Sequence, residues 1–86
     1  MESLEDLRRQ VNAIDADIIA AIARRQQVTQ QIGEYKKQRR LSVINNTRED
    51  NLRAWHQHNC EQHHVSETLV AQIFAILIAE SRKAQL

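Results

Sequence analysis

Arg25, Thr29 and Lys36 stand on the apolar line of a long amphipathic segment, and Arg8 lies at its edge. On a helical wheel at about 100° per residue, Leu4, Leu7, Val11, Ile14, Ile18, Ile22 and Ile32 fall within about 40° of that line. A cation buried without a partner is costly. Either these cations emerge at solvent, or something anionic meets them inside. Arg25 and Lys36 are about 16 Å apart along the axis, with Thr29 between them. Arginine offers a planar fork suited to carboxylate, and lysine a compact point charge. The span suits a small ligand with anionic groups at two ends. The plainer readings are an Arg25 that extends past the core and a Lys36 that snorkels at a helix end.

Other polar groups fall on core-facing sides. Arg48 and Glu49 open a second helix, and Ser81 and Gln85 close a third, as i, i+4 neighbours on one face. Taken singly, Glu49 complements a helix dipole, and Ser81 and Gln85 belong to a fraying terminus. Arg8 taken singly pairs with a surface acid. Their joint placement on the inward sides of three helices favours one shared pocket for a small dianion. Arg8 lies about 25 Å up the first helix from Arg25, so it reaches that pocket only from another subunit.

The elements that must position these groups are legible. Ser3 with Asp6 forms a variant capping box, and the 3.6-residue pattern runs on over about 4–40. Gly33 interrupts it chemically but not in phase. It marks either a tolerated weak spot or the close approach of a neighbour. About 41–46 reads as a loop with Asn45-Asn46 as its turn. Thr47 then caps a helix over about 47–61, with Asp50 in the capping-box place. His63 and His64 occupy a turn, and Ser66 caps a helix over about 66–85. The whole chain, 1–86, reads as one all-α domain of three helices.

A first helix of about 55 Å overhangs a globule only some 30 Å across. Its apolar stripe runs nearly its full length, so the overhang needs a cover. Two chains laid antiparallel supply one, which predicts a homodimer. A core this thin also makes oligomerisation a common remedy.

Composition narrows the function. The chain has no proline and one glycine, as a few long helices require. Net charge is +1, from 12 basic and 11 acidic residues, which is no nucleic-acid polycation. The run Lys36, Lys37, Arg39 and Arg40 has no interleaved aromatics and suits a solvated helix end. One cysteine, Cys60, forms no intrachain disulfide and fits a reducing compartment. The acidic start lacks a signal peptide's basic and apolar blocks, and no run approaches the roughly 18 apolar residues of a membrane span. The expected location is cytoplasmic.

Taken together, Leu7-Arg8, Ile14-Asp15, Ala23-Arg24-Arg25, Ile32-Gly33-Glu34-Tyr35-Lys36, Thr47-Arg48-Glu49 and Ile78-Ala79-Glu80-Ser81 through Gln85 resemble the all-helical chorismate mutases, the AroQ class. The similarity covers essentially the whole chain. It implies an intertwined dimer of three-helix chains, each pocket built mainly by one chain with one arginine donated by the other. By position the donated arginine is Arg8 and the resident ones are Arg25 and Arg48. Lys36, Glu49, Ser81 and Gln85 also match pocket positions. Asn45 stands where the family usually has aspartate, and Ser42 replaces a common loop proline.

The implied reaction is the Claisen rearrangement of chorismate to prephenate, in the making of phenylalanine and tyrosine. It needs no nucleophile, metal or cofactor. It needs the substrate's side arm held over its ring and the charge on the breaking ether oxygen stabilised. The resemblance assigns Lys36 and Gln85 to the ether oxygen. Arg8 and Arg25, with Ser81, go to the two carboxylates. Glu49 goes to the ring hydroxyl, and Arg48 shapes the site and balances Glu49. The rivals on this scaffold are an isochorismate pyruvate lyase and a 4-amino-4-deoxychorismate mutase, but the Arg48-Glu49 pair is more mutase-like. A silent helical dimerisation module explains the stripe but not Arg25 and Lys36 on it. His56, His58, Cys60, His63 and His64 have partial metal-ligand spacing, but the cluster lacks a second cysteine, and solvated histidines beside a small thiol are the simpler reading.

Overall fold

A computed structural model describes residues 2–85. These residues form three α-helices and no strand. Helix α1 spans Leu4–Arg39, α2 Asn46–His63 and α3 Glu67–Gln85. None of the described helices is long and apolar enough to cross a membrane.

Each boundary has a local cause. The Ser3 hydroxyl accepts from the Asp6 amide at 3.1 Å while the Asp6 carboxylate accepts from the Ser3 amide at 3.4 Å, a reciprocal capping box. Glu5 and Asp6 occupy the first turn of α1, and Lys36, Lys37 and Arg39 the last, as the helix dipole favours. Arg40 ends α1 in the left-handed conformation, at φ 53°. Ser66 precedes α3, and its hydroxyl accepts from the Leu69 amide at 3.2 Å.

The start of α2 differs from expectation. Asn45 is the N-cap in place of Thr47, its side-chain oxygen accepting from the Arg48 amide at 2.9 Å. Asparagine is among the strongest capping residues, and a cap two residues earlier shifts Glu49 from the second helical position to the fourth, still in the first turn. Asp50 pairs with Arg53 on the same helix and has no part in the cap. The helix also runs on to His63, with His64 as its left-handed cap at φ 55°.

Helix α1 packs on α3, and α3 on α2. The contacts from Arg25 to Ser81 and from Lys36 to Gln85 advance together, so α1 and α3 run parallel. Gly33 is where they meet most closely. A Cβ built there would lie 2.9 Å from the Gln85 Cα and 3.3 Å from the Ala84 carbonyl oxygen. Of the two readings of Gly33, the structure shows the close approach.

The molecule measures 57 × 24 × 16 Å, and its long axis matches the roughly 54 Å of α1. Among the described residues only Gly33, Cys60, Ser81 and Gln85 are buried. The stripe on the first half of α1 is open, from 46% exposed at Leu7 to 61% at Leu4, with Val11, Ile14 and Ile18 between. Leu69, Ile73 and Ile76 of α3 are open as well. A single chain therefore leaves its apolar faces in water, far beyond scattered surface residues.

Gly33→Ala sets two effects against each other. Alanine favours the helix by about 1 kcal/mol, but its methyl meets the backbone of α3, which cannot turn aside as a flexible side chain would. We expect a net loss of about 1–2 kcal/mol and a lower Tm in circular dichroism melts. A raised Tm would show that the contact yields freely.

Candidate active site

Two cations on α1 reach across to α3 and to the connecting loop. Arg25 Nη1 donates to the Leu77 carbonyl at 3.2 Å and to the Ser81 hydroxyl oxygen. Lys36 Nζ donates to Gln85 Oε1 at 2.8 Å and to the Val43 carbonyl at 2.9 Å. All four acceptors are neutral. Among the described residues no carboxylate lies within ion-pair distance of Arg25, Lys36 or Arg48.

These side chains surround a cavity of about 200 Å³. Thr29, Ile32, Leu52 and Ile78 complete its walls between the polar groups. Arg25, Lys36, Asn45, Arg48, Glu49, Ser81 and Gln85 all line it, so seven of the eight residues singled out in the sequence converge here. Arg8 does not; it is exposed on the first half of α1. Larger hollows of about 360 and 460 Å³ flank Cys60 and Phe74 between α2 and α3. They lack the three converging cations, so size does not mark the site.

The hydrogen bonds fix what each group can still offer. The Gln85 oxygen is taken by Lys36, which leaves its amide N–H groups as donors. Lys36 has three donors and uses two, so one remains. Arg25 engages through Nη1 alone, leaving its other edge for a planar acceptor. The Ser81 hydroxyl donates back to the Leu77 carbonyl at 2.9 Å, and its oxygen takes Arg25. Ser81 thus holds Arg25 in place and has no donor to spare for a ligand while that bond stands.

Glu49 has a partner that the sequence reading missed. It pairs with Arg82 of α3, not with Arg48. Adjacent residues on a helix point about 100° apart, so Arg48 and Glu49 cannot face each other. A signal was present, since Arg82 falls four residues after Ile78 and shares its side of α3. Asn45 enters through its capping bond, which an aspartate at the same place would make equally well. Ser42 donates to the Ile44 carbonyl at 2.9 Å, a loop tie that proline would lack.

The field inside is positive. Burial pushes the Arg25 pKa down from its ordinary value, and the nearby Arg48 guanidinium adds to that. Arg25 also lies 5.8 Å from the centre of the Phe74 ring, a cation–π contact. Outside the cavity, the His56 ring packs against Phe74, 3.8 Å between ring centres and tilted by 35°. Its pKa is lowered by burial first, then by Arg25 and Arg48. Among the described residues no three His, Cys, Asp or Glu side chains are placed to share a metal.

His56 offers a readout of this field. Its neutral form is favoured in the folded chain, so the stability it contributes is present above about pH 6.5, the unfolded value, and is lost as pH falls below it. NMR titration of His56 should give a midpoint below the ordinary histidine range. Arg25→Ala should raise that midpoint; an unchanged midpoint would contradict the field.

The family model for chorismate mutase type II matches residues 7–86. A chorismate mutase of Methanocaldococcus jannaschii is 28% identical over 85 residues, covering 99% of this chain and 86% of that protein. With the match spanning all three helices and the cavity between them, the chain belongs to the chorismate mutase type II family.

Proposed function

We propose that the chain catalyses the rearrangement of chorismate to prephenate in the cavity between α1, α2 and α3, as a homodimer. One observation carries the assignment to this cavity: three cations, Arg25, Lys36 and Arg48, face it while none has an anionic partner among the described residues. A charge set of that kind is complementary to a dianion. Arg25 and Lys36 are half-buried, and holding cations there without a counter-ion costs solvation that a purely structural core has no reason to bear.

The bonds already made suggest the division of labour. The reaction is unimolecular, so the protein contributes orientation and preplaced charge. The open edge of Arg25 takes one carboxylate in a fork. The spare Lys36 donor and the Gln85 amide meet the ether oxygen, where negative charge grows as its bond to the ring breaks. Lys36 orients Gln85 for this by occupying its oxygen. Ser81 acts through Arg25. Glu49 accepts from the ring hydroxyl, and Arg48 adds positive potential at the α2 end. Asn45 anchors the first turn that carries both.

Arg8 completes the set from a second copy. In one chain it is remote from the cavity, and it lies on the apolar stretch that a single chain leaves uncovered. An antiparallel pairing of two α1 helices would cover that stretch and bring Arg8 of one chain toward the second carboxylate in the cavity of the other.

The direct test follows chorismate disappearance by absorbance and identifies the product. Prephenate is expected; pyruvate release would indicate a lyase instead. Lys36→Ala should lower kcat by about 100-fold or more, as removal of a preplaced donor does elsewhere. A pure scaffold would keep or gain stability and have no turnover to lose. Gln85 is a neutral donor, so kcat should vary little from pH 6 to 8; a steep fall across that range would contradict its role.

A further inference from the structure

Glu49 poses a difficulty for any dianion entering the cavity, since its carboxylate faces that ligand with the same sign of charge. The structure holds an answer outside the residues assigned so far. Arg82 Nη2 donates to Glu49 Oε1, tying the last turns of α3 to the first turn of α2. The Glu49 side chain is the more enclosed of the two, at 24% exposed against 43% for Arg82. The pair is only partly open to water, so bulk solvent screens it incompletely.

The Arg82 edge that faces Glu49 carries two donors. Nη2 is bonded, while Nε is buried with no partner. An N–H buried without an acceptor is unfavourable, so the guanidinium is not placed for its own satisfaction. It is placed by the carboxylate.

We propose that Arg82 is a positioning residue that fixes and neutralises Glu49, so that the cavity presents three unopposed cations to its dianionic substrate while keeping an acceptor for a hydroxyl. The inference rests on the mutase reading above. Arg82 does not touch substrate; it acts through Glu49. Without it, Glu49 would offset one of the three cations and lose its fixed orientation.

Arg82→Gln keeps a hydrogen-bond donor on a shorter side chain but removes the charge; Arg82→Lys keeps the charge. Steady-state kinetics on chorismate should show KM raised about tenfold by Arg82→Gln at low salt, with kcat changed much less. Arg82→Lys should restore most of the loss. In a Glu49→Gln background, Arg82→Gln should leave KM unchanged, because no charge remains to neutralise. A merely structural role would lower Tm and shift KM alike in both backgrounds. Wild-type KM in Arg82→Gln, or an equal rise in the Glu49→Gln background, would overturn the role of Arg82 alone. A wild-type chain that leaves chorismate unchanged would overturn the mutase reading and this inference with it.

Discussion

The Arg25 guanidinium and the Lys36 ammonium are held by neutral oxygens, from Leu77, Ser81, Val43 and Gln85. Neutral acceptors fix a cation's position without cancelling its charge. A carboxylate in any of these places would bind more strongly and leave a ligand little to attract it. The arrangement costs stability, because partly buried charge is poorly solvated, and the depressed Arg25 pKa reflects that cost. It requires α1 and α3 to be close enough for Gln85 to reach Lys36. Gly33 provides that closeness by having no side chain to hold the helices apart. Glycine in a helix, back-bonded serine and charges without counter-ions each look unfavourable locally, and together they form one site.

The same constraint bears on assembly. Three helices that aim polar groups inward leave little apolar volume for a core, and no large side chain is fully buried among the described residues. The apolar residues are instead displayed along the first half of α1 and part of α3. Under the proposed pairing, the surface that would stabilise the fold is the surface that would deliver Arg8. Stability and a complete cavity would then depend on one interface, and a folded monomer would lack a substrate ligand.

Most of this fold is readable from the chain. The 3.6-residue stripe, the Ser3 and Ser66 caps and the near absence of glycine and proline specify three helices with ends placed within two residues. The start of α2 was not readable, because Asn45 and Thr47 are both good caps and only tertiary position chooses between them. The site was legible wherever a polar residue broke an apolar line, as at Arg25, Lys36, Ser81 and Gln85. It was illegible where the partner came from another helix. The Glu49 ion pair spans 33 residues of sequence, and wheel position alone does not reveal which α3 side chain meets α2. Sequence also could not decide what Gly33 is for, since a weak spot and a close approach look alike until the neighbour is seen.

The central claim is that each cavity is complete only when a second copy contributes Arg8. Two variants, Arg8→Ala and Lys36→Ala, each damage every site of their own dimer. Refolded together in equal amounts, half of the dimers would be mixed, and each mixed dimer would carry one intact cavity. The account predicts that mixing two nearly inactive proteins restores about one quarter of wild-type chorismate turnover, as random pairing in a twofold dimer requires. Activity that never rises above that of the separate variants would contradict it.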